Sequence, residues 1–165
     1  AARRQQEMAG AAHPFFLVGT WQGKGTVLPK GIDFKEKATF TLLRTEPAVV
    51  INWQQFTRNA NTDAPLHAEN GFLKLLPTGA GELCLSHPFS VNEMYHSVTH
   101  SATSLTCERP EFQRGPAAKG KAVTDCKRVY TLTDQGHLVY DVWLGVDGAE
   151  PYHHLHAELS RADES

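Results

Sequence analysis

Apolar and polar residues alternate with a period of two along most of this chain, and that period leaves little room for helix. Phe34, Ala38, Phe40 and Leu42 fall on one face of a run, with Lys35, Lys37, Thr39 and Thr41 on the other. Leu138, Tyr140, Val142 and Leu144 repeat the pattern against Val139, Asp141 and Trp143. Successive side chains of a strand point to opposite faces, so such runs read as half-buried strands. Turn formers separate them: Pro29-Lys30-Gly31, Pro77-Thr78-Gly79-Ala80-Gly81, Thr133-Asp134-Gln135-Gly136 and Asp147-Gly148. About ten strands are expected, at 19–28, 34–43, 48–57, 65–75, 82–87, 91–97, 100–107, 120–131, 137–144 and 151–160. Short strands at even spacing, joined by sequential hairpins, predict an all-β fold: an antiparallel up-and-down β-barrel with room for a ligand. One turn of helix is expected at Pro14 to Val18. Glu108 to Gly120, rich in Pro and Gly, reads as a mobile loop on one rim.

The chain is 165 residues long, enough for one domain with a sizeable core. Residues 1–13 read as a flexible N-terminal segment and 14–165 as a single barrel domain. A formal net charge of −2 without a run of Lys or Arg argues against a nucleic-acid partner. No apolar run approaches the ~20 residues of a membrane span. Three widely spaced cysteines, Cys84, Cys107 and Cys126, suit a reducing, intracellular setting such as the cytoplasm better than a disulfide framework.

Two local features could carry chemistry. The first is Gly19-Thr20-Trp21-Gln22-Gly23-Lys24-Gly25, in which Gly19, Trp21, Gly23 and Gly25 share a strand face. A face without side chains admits either a flat ligand or a neighbouring backbone. It is no phosphate loop, because no Gly-Lys-Ser/Thr follows. The second is His153-His154-Leu155-His156 in the last run; neutral imidazole ligates haem iron or zinc. Zinc would call for further ligands at recognisable spacing, such as paired cysteines, and none is visible. No cysteine shows a neighbouring base, no Gly-x-Ser-x-Gly elbow occurs, and the carboxylates are scattered. Strand parity sets His154 with His156 and Glu158, opposite Leu155, Ala157 and Leu159. A regular strand with the aliphatic face inward would aim His153 into the lumen; a bulge would aim His154 there instead.

Five blocks together resemble the nitrobindin family, from about Phe15 to Arg161. They are the glycine run; Pro65-Leu66-His67-Ala68-Glu69-Asn70-Gly71-Phe72-Leu73; Ser86-His87-Pro88 through Glu93; Lys121-Ala122-Val123-Thr124 with Arg128-x-Tyr130; and His154-Leu155-x-Ala157-x-Leu159-x-Arg161. The resemblance implies a calycin-like barrel, similar to fatty-acid-binding proteins, holding haem b near one mouth. It further implies His154 as the iron ligand, with His153 in reserve, and Leu66 and His67 on the distal side. Lys121 would meet a propionate, and Gly19, Trp21, Gly23 and Gly25 would line the cofactor wall. The implied activity is haem-dependent peroxynitrite isomerisation to nitrate, with nitric oxide as a second small-molecule partner. The segment Thr26-Val27-Leu28-Pro29-Lys30-Gly31 departs from the family pattern, which has another Gly and then Tyr-Pro-Thr. The alternative is a non-catalytic carrier of a fatty acid or other apolar small molecule.

Overall fold

The alternation builds the sheet directly. In β2 (Ile32–Arg44), Phe34, Glu36, Ala38 and Phe40 are buried, while Lys35 and Lys37 between them are exposed. The computed structural model describes residues 14–162; the segment 1–13, expected to be flexible, lies outside the described residues. Along the chain run β1 (Gly19–Val27), β2, β3 (Val49–Asn59), β4 (Pro65–Leu75), β5 (Gly81–His87) and β6 (Val91–Tyr95). There follow β7 (Ser97–His100), β8 (Ser104–Glu108), β9 (Glu111–Arg114), β10 (Val123–Leu132), β11 (Leu138–Val146) and β12 (Tyr152–Arg161).

These strands form one curled antiparallel sheet in the order β7-β8-β10-β11-β12-β1-β2-β3-β4-β5-β6-β9. The last strand lies beside the first, paired from Trp21↔Arg161 to Val27↔Leu155. Curling brings the ends of the sheet toward each other. A Cβ placed on Gly81 of β5 would come within 2.8 Å of Val98 in β7.

Twelve strands replace the expected ten, for two reasons. The runs 91–97 and 100–107 become three strands, because the chain breaks at His96. There it passes from β6, paired with β5, to β7, which pairs with β8. The segment Glu108 to Gly120 is not all loop: Glu111–Arg114 forms β9 and pairs with β6 from Val91↔Arg114 to Met94↔Glu111. Main-chain hydrogen bonding along an open edge forms a strand there that the local composition does not favour.

The two ends of the sheet differ. At one, the 3-10 turn Phe15–Leu17, expected from the sequence, tucks Leu17 fully out of solvent. The Trp21 indole N–H donates to Leu17 O at 2.8 Å, and the Arg161 guanidinium lies 4.2 Å from the Trp21 ring. Arg161 also donates to Val18 O at 2.7 Å and Phe16 O at 2.9 Å, which closes that end. The opposite end carries the turns 28–31, 88–90 and 147–151 and the start of β4.

Candidate ligand site at the barrel mouth

His154 lies at this second end. Opposite β11, Val142 pairs with Leu155 and Trp143 with His153, so His154 is an extra residue in the ladder. The bulge breaks the two-residue parity. His153 and His156 both face outward, each 2.8 Å from Asp141 Oδ1, and Trp143 lies against the His153 ring at 4.9 Å. Ala157 and Leu159 remain fully buried. His154 is half-buried, and its Nδ1 is buried without a hydrogen-bond partner. Burial lowers its pKa first, and the charges of His67, Arg128 and Lys30 add to that, so the imidazole is held neutral.

Two further imidazoles share the mouth. His87, nearly fully buried, approaches His67 with Nδ1 3.2 Å from His67 Nε2. Phe89 covers both, its ring 5.5 Å from His67 and 5.1 Å from His87. His67 Nε2 also lies 3.4 Å from Glu69 Oε2. Seven large apolar side chains are exposed among the described residues, and four of them, Leu28, Leu66, Phe89 and Tyr152, belong to the turns and strand ends of this mouth. An apolar rim around polar interior groups is the usual build of a small-molecule site.

Below the mouth the lumen is filled by a polar network. Arg128 donates to Glu69 Oε1 at 2.8 Å, to Glu93 Oε2 at 3.1 Å and to the Tyr95 hydroxyl at 3.0 Å. Burial alone would raise Glu69; the guanidinium and the two histidines outweigh it and hold the carboxyl well below the usual range. Glu93 is lowered by the same balance. Deeper, Gln55 accepts from the Trp53 indole at 2.8 Å and from Tyr130 at 3.0 Å, and donates to Glu36. Tyr140 donates to the other Glu36 oxygen. Burial pushes Glu36 up to about 7 against those two hydrogen bonds.

That shift has a sign. Between about pH 4.5 and 7 the unfolded chain ionises Glu36 while the folded chain keeps it protonated, so this group lowers stability as pH rises. Glu36→Gln removes the titration and keeps the acceptor for Gln55, while its NH2 donates to the Tyr140 hydroxyl instead of accepting from it. The stability difference between variant and parent in urea melts is therefore expected to shift in the variant's favour by roughly 2–3 kcal/mol from about pH 5 to about pH 8. A flat difference would show that Glu36 is ionised when buried.

The glycine-run expectation needs correction. A Cβ on Gly23 would meet Glu158 O at 2.1 Å, and one on Gly25 the Phe34 ring at 2.3 Å. One on Gly19, at φ +131°, would meet Arg161 Nη1 at 2.5 Å. Protein atoms fill the space that a flat ligand was expected to take: β12 and Phe34 pack there. Gly19 and Trp21 lie at the closed end of β1, whereas Leu28, just past its other end, donates to His154 O. Leu66 and His67 stand at the mouth, and Lys121 is exposed just ahead of β10 with its carbonyl near Arg114.

The sequence reading did not single out Glu36 or Gln55, and it quoted Glu69, His87, Glu93 and Arg128 in the family blocks without a role. One signal was present. Glu36 shares parity with Phe34 and Ala38, Glu69 with Leu73, and Arg128 with Tyr130; charge on an inward face must find a partner.

A curled antiparallel β-sheet, closed at one end and open at a histidine-lined mouth, defines a small-molecule-binding barrel. The family described as THAP4-like, heme-binding beta-barrel domain matches residues 12–161, and the chain belongs to it. Peroxynitrite isomerase 1 of Mycolicibacterium paratuberculosis is 32% identical over 153 residues, covering 88% of this chain and 90% of that protein. Peroxynitrite isomerase 1 of Rhodococcus jostii is 29% identical, covering 92% of this chain and 82% of that protein. The crystal structure of Rv2717c from M. tuberculosis superposes with a TM-score of 0.71 at 27% identity, covering 89% of this chain and 93% of that one.

Proposed function

We propose that this chain is a haem-dependent peroxynitrite isomerase that also binds nitric oxide, and that His154 would hold haem b at the mouth through its iron. One observation carries the assignment of the ligand: the neutral His154 imidazole has a buried, unpartnered nitrogen at a mouth ringed by exposed apolar side chains. That donor set fits haem, which needs one lone pair and apolar walls. Bound ferric haem supplies the iron at which peroxynitrite rearranges to nitrate.

The chain's own residues do the rest. His154 offers a lone pair at neutral pH because burial keeps the proton off. Leu28, Leu66, Phe89 and Tyr152 exclude water from the haem faces. The exposed ammonium groups of Lys30 and Lys121 suit propionate carboxylates. His67, partly exposed at the same mouth, would stand beside the bound group. The carrier reading finds less support: the two buried carboxylates already occupy Arg128, and aromatic side chains fill the lower lumen. An intracellular setting belongs to this proposal and is supported by three free thiols.

Hemin added to the protein is expected to give a shifted Soret band that saturates at one equivalent. The loaded ferric protein is expected to hasten peroxynitrite decay in stopped flow, with nitrate rather than nitrite as product. Absence of a saturable Soret change overturns the proposal.

A further inference from the structure

His67, Glu69 and His87 meet in a way the haem reading does not use. His67 Nε2, His87 Nδ1 and Glu69 Oε2 lie 3.2, 3.4 and 3.9 Å apart. The in-plane point equidistant from three atoms so spaced lies about 2.0 Å from each, within the range of zinc–nitrogen and zinc–oxygen bonds. We propose that these residues form a binding site for a divalent transition-metal ion of the zinc class, separate from haem iron.

The surroundings orient all three donors. Glu69 Oε1 is held by Arg128 at 2.8 Å, which leaves Oε2 for the ion. Glu93 does the same for His87. Its Oε1 stands 3.3 Å from His87 Nε2, a buried atom without a formed hydrogen bond. The nearby carboxylate favours a proton on Nε2 and so leaves the Nδ1 lone pair free, as a carboxylate beside a ligating histidine does when it fixes the tautomer. Glu93 Oε2 is taken by Arg128 at 3.1 Å, so its charge stays in place. Two carboxylates against one guanidinium leave one negative charge, which favours a cation. The Glu69 and His87 side chains are only 5% and 3% exposed, whereas His67 is 36% exposed and opens the route from the mouth. Three potential ligand atoms, His67 Nε2, His87 Nδ1 and Glu69 Oε2, converge, and a metal ion would satisfy them together. Two imidazoles and one carboxylate with an open position make a familiar zinc donor set.

The test uses Co2+ as a spectroscopic probe on the full chain, with Zn2+ as competitor. One equivalent is expected to give visible d–d bands that Zn2+ abolishes. His67→Gln and His87→Gln are each expected to weaken binding about 100-fold, and Glu93→Gln about 10-fold or more. His156→Ala removes the outer His153–Asp141–His156 group and is expected to leave binding intact. Circular dichroism checks that each variant folds. Zinc-edge X-ray absorption on the parent protein needs no variant, and two imidazoles on the ion are expected. A spectrum without two imidazoles, binding unaltered in both His67→Gln and His87→Gln, loss through His156→Ala, or no binding at all overturns the proposal. His154→Ala is expected to keep the Co2+ bands, so failure of haem binding and failure of this site are read separately.

Discussion

His154→Ala is expected to abolish the one-equivalent Soret band and to weaken hemin binding at least about 100-fold, whereas His153→Ala leaves the titration unchanged. The two neighbours differ in direction. His153 faces out, with its Nε2 on Asp141 and its ring against Trp143. His154 is the extra residue of a bulge, and its Nδ1 is buried without a partner. Its loss removes the neutral imidazole at the mouth. Replacing the outer histidine removes an exposed contact with Asp141, a kind of pair worth little. The reverse result, a band lost with His153 and kept without His154, would reassign the ligand and with it the direction of the bulge.

Arg128→Met is expected to destabilise the fold by about 3–5 kcal/mol in urea melts at neutral pH. The guanidinium is 6% exposed and holds Glu69 and Glu93, which are 4% and 7% exposed. Removing it leaves two buried carboxylates without their cation. The pH dependence follows from the depressed carboxyls. Their contribution is complete above the ordinary carboxylate value of 4.5 and is lost as pH falls through the lower folded values. The gap between parent and variant is therefore expected to be widest at neutral pH and to close on acidification. Adding Glu69→Gln and Glu93→Gln to Arg128→Met is expected to restore much of the loss, since neutral amides need no counter-charge. A variant as stable as the parent at pH 7 would mean that water reaches the cluster.

Much of the fold was legible because alternation and turns are local. Phe34, Ala38 and Phe40 against Lys35 and Lys37 declare a half-buried strand without reference to anything distant. Asp147 and Gly148 both take positive φ in the turn between β11 and β12, as such a pair is suited to do. Glu111–Arg114 was not legible, because its order comes from pairing with β6 rather than from its own residues. The glycine run was legible as a place of close approach but not as to what approaches. Gly23 is crowded by Glu158 O and Gly25 by Phe34, both distant in sequence.

The mouth divides the same way. The imidazoles were visible as residue types, and the family blocks picked out His154 and His67. The polar network beneath them was hidden, although inward parity of Glu36 and Arg128 marked charges that had to be answered. Zinc looked unsupported along the chain because no ligand set shows there. His67 and His87 stand on different strands, and the pairing of β4 with β5, which sets Asn70 opposite Ser86, brings them within hydrogen-bonding distance.

The chain alone determined that it is an antiparallel β protein with histidines near its end, because side-chain period and turn chemistry act over a few residues. Tertiary structure decided which histidine turns inward, what fills the space beside Gly23 and Gly25, and which carboxylates surround Arg128. Those outcomes depend on one bulge and on pairing between strands far apart in sequence, where a shift of one residue reverses every side chain.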